Sequence, residues 1–307
     1  MMRKTTEYKA LMIISALAAL IFMSCSSDDV SPTSADDGDP GGGDISMIID
    51  HTCCDISAVP RSAIQDAVDN LHIAYGHTSH GSQLVTGMDG LADFLGDDLY
   101  NYSNGGTGGT LDLHDNAFVS YGASDLGNPD RTAWAAATSD YLDANPDVNV
   151  VIWSWCGQVG DATVQDIETY LGLMTQLEND YPGVTFVYMT GHLDGTREAG
   201  NLHQRNEQIR AYCEANDKVL YDFADIESYD PDGEVNYLPL AGRDTCDYDE
   251  DGDNYYDSNW GIEWQDAHTI GVDWYSCASA HSQPINANLK AYAAWHMWAR
   301  LGGWGGE

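Results

Sequence analysis

Positive charge is scarce in this 307-residue chain: 12 Lys and Arg stand against 49 Asp and Glu, for a formal net charge of −37. A surface of that sign is repelled by phosphate backbones and by anionic lipid headgroups, which excludes nucleic acid and an anionic bilayer face as partners. Metal-site spacings are missing too. No cysteine pair has zinc-ligand spacing, there is no Cys-x-x-Cys-His haem signature, and neither His-x-His nor His-Glu-x-x-His occurs. No fixed-period repeat and no second low-complexity linker divides the chain, so one sizeable core is the expected count.

What is present begins at the start of the chain. Arg3, Lys4 and Lys9 precede an apolar run from Ala10 to Met23, broken only by Ser15 and short for a bilayer span. A basic start, a short apolar stretch and small residues describe a secretory signal. Ser24-Cys25 follows directly and resembles the lipobox of bacterial lipoproteins, in which the cysteine is acylated and becomes the new N-terminus. Residues 1–24 are therefore expected to be a lipoprotein signal peptide, with Cys25 the lipidated residue. Residues 25–45 hold Ser, Asp, Gly and Pro and almost nothing apolar, as a flexible tether does. The expectation is an exported protein, held to a membrane only by lipid, at the bacterial cell surface or in the periplasm. Six further cysteines (Cys53, Cys54, Cys156, Cys213, Cys246 and Cys277) make an even number, which in an exported chain favours disulfides.

Residues 46–307 read as one α/β domain. Leu71–Tyr75 before Gly76, the β-branched run Val148–Trp155, Val184–Met189 and Val219–Phe223 read as strands. Between Asp161 and Glu178, apolar residues recur at close to a 3.6 period, and Asn201–Ala215 and Ile285–Leu301 also read as helices. Strands alternating with helices predict a single three-layer α/β/α domain with a mostly parallel sheet. Ligands of such sheets sit beyond the carboxyl ends of the strands, so the residues just after each strand carry the chemistry.

Those residues are Gly76-His77-Thr78-Ser79-His80-Gly81 after the first strand, Cys156-Gly157-Gln158 after the second and Thr190-Gly191-His192 after the third. Cys277-Ala278-Ser279-Ala280-His281 precedes the last helix. A hydroxyl in a Gly-rich turn, a Gly-Gln pair and a late histidine, in that order, resemble the SGNH (GDSL-like) hydrolases, esterases and acylhydrolases of flavodoxin-like α/β fold. The resemblance spans most of residues 70–301 through short motifs. It implies Ser79 as nucleophile, His281 as base, and Gly157 and Gln158 in the oxyanion block. His77-Thr78 stand where the family has Asp before the serine, Gln158 where Asn is usual, and Ala278 where Asp precedes the histidine by three. The third triad member is thus open, with Asp273 and Asp266 the nearest candidates or a backbone carbonyl in their place. Thr78 rivals Ser79 if the turn is counted strictly from Gly76. Gly81 favours Ser79, since it lets the chain turn tightly into the next helix.

The chemistry also stands on the residues alone. A serine hydroxyl needs a nearby imidazole to take its proton, and the oxyanion needs preorganised donors such as the free N–H groups of a Gly-rich turn. His77, His80 and His192 are expected to line the pocket. Several histidines at one strand edge leave a metal open as an alternative, though without a recognised spacing.

The sharpest local motif is acidic. Asp247, Asp249, Asp251, Asp253 and Asp257 surround Gly252, and alternate aspartates before a glycine set oxygens around one point as calcium loops do. The expectation for 247–258 is a structural calcium site, with no cofactor needed for catalysis. The leading functional expectation is a surface-anchored serine esterase acting on an extracellular ester, including acylated polysaccharide. The alternative is a non-catalytic, calcium-stabilised glycan- or partner-binding lipoprotein on the same fold.

Overall fold

The computed structural model describes residues 46–306. The signal, Cys25 and the tether lie outside the described residues. In chain order the elements are β1 (Met47–Ile49), α1 (Arg61–Asn70), β2 (His72–Gly76), α2 (Ser82–Leu95), β3 (Tyr102–Ser103) and β4 (Leu111–Asp115). There follow α3 (Ala133–Ala144), β5 (Val150–Trp153), α4 (Val164–Asp180), β6 (Thr185–Met189), α5 (Asn201–Ala215) and β7 (Val219–Tyr221). The last are α6 (Phe223–Glu227), β8 (Asp247–Tyr248), β9 (Ser258–Asn259), α7 (Trp260–Ala267) and α8 (Pro284–Leu301).

Seven strands form one sheet in the order β1-β7-β6-β5-β2-β4-β3, and every pairing in it is parallel. The alternation of side chains along each strand divides the core in two. Ile73, Tyr75 and Ile152 face a layer built from α1, α2 and α8. Ala74, Val151 and Trp153 face a layer built from α3, α4 and α5. The predicted α/β class with helices on both faces is therefore what the chain adopts. α8 is buried on nearly all sides from Ile285 to Ala299. Among the described residues no helix is long and apolar enough to cross a membrane.

The acidic segment is a separate antiparallel hairpin, β8 with β9. The expected disulfides are not formed: all six described cysteines are free. Each thiol is seated on its own. Cys54 lies against the Asp50 carbonyl, Cys277 against the Pro284 carbonyl and Cys246 beside the Ser282 hydroxyl. Burial pushes the Cys246 thiol up to about 12 and the Cys277 thiol up to about 11, so neither is a ready thiolate.

Candidate functional site

The turn after β2 sends four consecutive side chains to four different segments. His77 is buried and turns to Asp115 at the end of β4, Nε2 to Oδ1 at 2.6 Å. The Thr78 hydroxyl donates to Asp125. Ser79 is hydrogen-bonded to His281 Nε2, 202 residues further on. His80 Nε2 meets Asp244 Oδ2 at 2.9 Å. Thr78 is thus committed elsewhere, and Ser79 alone of the two hydroxyls faces the late histidine.

Both partners of the serine–histidine contact sit in strained backbone. Ser79 has φ 47° and His281 φ 64°, the left-handed region that non-glycine residues rarely occupy. The turn is shaped by close packing at Gly81, where a Cβ would overlap the Ser154 side chain beyond the end of β5. Tyr75 locks the same point by donating to the Gly81 carbonyl at 2.7 Å.

Three imidazoles stack beside the serine. His80 lies on His192 with centroids 3.7 Å apart and planes 7° apart, and on His281 at 4.4 Å and 21°. The outer ring, His281, is exposed. Burial lowers the His80 pKa; the Asp244 hydrogen bond opposes this without overcoming it, so the middle ring is neutral. For Asp244, burial pushes upward, but the His80 hydrogen bond and the nearby His192 and Arg243 hold the carboxyl below its ordinary value.

Several expected roles are corrected. Asp273 does not approach His281; it is exposed, and its carboxylate accepts from the Thr269 N–H at 2.8 Å, closing a local turn. The carboxylate that belongs to the histidine cluster is Asp244, with one oxygen within 4.8 Å of ring nitrogens of both His80 and His281. His77 does not line the pocket, because Asp115 draws it under β4. Gln158 is not a free oxyanion donor. Its Oε1 accepts from Cys156 N–H at 2.9 Å and its Nε2 donates to Asp125 at 3.1 Å, so the amide pins its own loop. Asp125, 1 % exposed, also accepts from Gly127 N–H at 2.8 Å and thereby ties that loop to Thr78.

Gly157 and His192 do reach the site: a Cβ on Gly157 would lie 3.7 Å from His192 Nε2. Among the described residues the N–H groups of Ser79 and Gly157 have no acceptor, which leaves them available to an oxyanion. Asp244 comes from an irregular segment with no motif of its own. It is held by its N–H to the Leu193 carbonyl at 3.2 Å, and a signal for it was absent from the spacing.

Three groups of side chains bring metal-type ligands together: His80, Asp244 and His281; Asp50, His51 and Asp225; and Asp249, Asp251 and Asp253. The acidic hairpin thus gathers three of its five aspartates. Asp247 instead pairs with Thr245 and Asn259, and Asp257 accepts from Glu250 N–H. Asp249 is already engaged by Arg197 at 2.5 Å and by the N–H groups of Gly252, Asp253 and Asn254.

Searches of family models, curated proteins and solved structures give no match to the chain.

Proposed function

We propose that the chain is a serine hydrolase of SGNH type, acting on extracellular esters from a lipid anchor at Cys25. The observation that carries this reading is the Ser79–His281 hydrogen bond, made between strained residues 202 positions apart. In the proposed reaction His281 Nε2 takes the Ser79 proton as Oγ bonds to the ester carbonyl carbon. The carbonyl oxygen becomes an oxyanion facing the Ser79 and Gly157 N–H groups. Collapse breaks the C–O bond, and the alcohol leaves with the proton from His281. Water then repeats the sequence on the acyl-enzyme and frees the acid and Ser79.

During each half-reaction His281 carries a positive charge. Asp244, with an oxygen within 4.8 Å of a His281 ring nitrogen and kept ionised, is the carboxylate that faces this charge. Stacking on His80 keeps the ring in plane. The acidic hairpin keeps its calcium role in this proposal only through Asp249, Asp251 and Asp253. A calcium bound there would share Asp249 with Arg197 and brace the hairpin, a structural role.

The test is Ser79→Ala assayed on p-nitrophenyl acetate and short-chain homologues; undiminished hydrolysis removes Ser79 from the mechanism. The second reading, a binding module on the same fold, is favoured by Ala278 and by the absence, among the described residues, of a carboxylate hydrogen-bonded to His281. Fluorophosphonate labelling separates the two: a folded wild type that does not label at Ser79 supports the binding module.

A further inference from the structure

Behind the site lies a lysine with no access to solvent. Lys290 on α8 and Glu227 at the end of α6 are both 0 % exposed, as is Gln83 on the first turn of α2. The Lys290 ammonium uses all three donors: Gln83 Oε1 at 2.5 Å, Asn286 Oδ1 at 3.1 Å and Glu227 Oε1 at 3.2 Å. Replacing a buried ion pair by apolar side chains is often neutral or stabilising, so stability alone is a weak reason for this cluster.

Its outer hydrogen bonds give a better one. Gln83 Nε2 donates to the Ala280 carbonyl at 2.5 Å. Asn286 Nδ2 donates to Ser282 Oγ at 2.7 Å. Glu227 Oε2 accepts from Leu193 N–H at 2.9 Å. Ala280 and Ser282 flank His281, Leu193 follows His192, and Gln83 is one turn beyond Ser79. Every hydrogen bond by which these side chains leave the cluster therefore ends next to a residue of the site.

We infer that Lys290, with Glu227, Gln83 and Asn286, is the positioning device that holds His281 at bonding distance from Ser79. The ammonium acts by fixing the orientation of the Gln83 amide. Turned over, that amide would set its NH2 against the ammonium and its oxygen against the Ala280 carbonyl, two repulsions in a dry interior. With Lys290 in place only one orientation survives, and it ties the serine-bearing helix to the histidine-bearing loop. The inference rests on the hydrolase reading for its catalytic meaning and on the hydrogen bonds alone for its geometric one.

The experiment compares Gln83→Leu, Lys290→Met and the double variant Lys290→Met/Glu227→Gln with the wild type. It measures ester kcat and KM, thermal midpoint and the His281 ring resonances by NMR. Gln83→Leu is expected to lower kcat about 10²-fold with KM changed by less than about twofold, and to move the His281 ring resonances. Lys290→Met leaves Glu227 an uncompensated buried charge and lowers the midpoint. The double variant recovers the midpoint but not kcat, since Gln83 still lacks its donor. Recovery of kcat together with the midpoint, or unmoved His281 resonances in Gln83→Leu, overturns the inference. Ester hydrolysis that persists in Ser79→Ala defeats the hydrolase reading instead, and the ring resonances still report on positioning.

Discussion

Histidines gather at both ends of the sheet, and the two gatherings are built differently. Around the start of the sheet, His72 (the first residue of β2) and His114 (the fourth of β4) share one carboxylate, Asp112, at 2.7 and 3.1 Å, beside an open groove of about 550 Å³. Both histidines lie on regular strand backbone of β2 and β4. At the C-terminal ends, Ser79 and His281 lie on left-handed backbone, and the exposed imidazole meets an aliphatic hydroxyl. The lower pair resembles the upper one in composition: two imidazoles and an aspartate. It lacks the strained turn, the serine hydroxyl and a buried ring stacked on the exposed histidine. Residue type alone does not separate the two ends; backbone conformation and the partner of each ring nitrogen do.

The largest expected effect follows directly. His281→Ala is expected to cut Ser79-dependent ester hydrolysis by about 10³-fold or more, whereas His72→Ala and His114→Ala leave it within about twofold. Equal losses at both ends, measured as kcat/KM on p-nitrophenyl acetate, would erase the distinction. A smaller loss, roughly 10- to 100-fold, is expected for Asp244→Asn, which keeps the shape but removes the charge facing His281. Its signature is a fall in kcat, with labelling by fluorophosphonate slowed rather than abolished.

Acidity provides a gentler test. The folded pKa values of His80 and Asp244 both lie below their ordinary values, so the unfolded chain binds more protons than the folded one. Their contribution to stability is therefore present above the unfolded values and lost as pH falls. The His80 part goes first, as pH drops below its ordinary value of 6.5, and the Asp244 part below 3.8. Thermal midpoints measured downward from neutral pH are expected to decline, and His80→Gln to flatten the upper part of that decline. A midpoint that rises on acidification through the histidine range contradicts the assignment. The smallest effect belongs to Asp273→Asn. It touches only a local turn, and its change in stability is expected within about 0.5 kcal/mol with unaltered kcat.

The legible part of the fold was the part built from long apolar runs. β5 and β6 are buried on both faces and read directly as continuous hydrophobic segments. β4, Leu111-Asp-Leu-His-Asp115, alternates apolar with polar residues, and β1 and β3 are too short to carry a pattern. At the site, Ser79 and His281 were legible from chain order, because each follows or precedes an element that could be recognised. Asp244 was not, since its place depends on a loop anchored to Leu193 by tertiary contact. Gln158 misled for the opposite reason: an amide beside a glycine suggests a donor, but Asp125, unseen in the sequence, had already claimed it. Lys290 did leave a trace. A single lysine amid the Ala- and Trp-rich residues of α8 has no polar face to occupy, so it must find partners inside.

The burial of α8 also bears on the timing of folding. It is the latest element in chain order, yet it packs between α1 and α2 and covers one face of the sheet. Until its 18 residues are synthesised, that face is only partly covered, by α1 and α2, and Glu227 has no ammonium partner. A growing chain of this kind can assemble the α3, α4 and α5 side of its core first, but cannot complete the other side until its last helix is made.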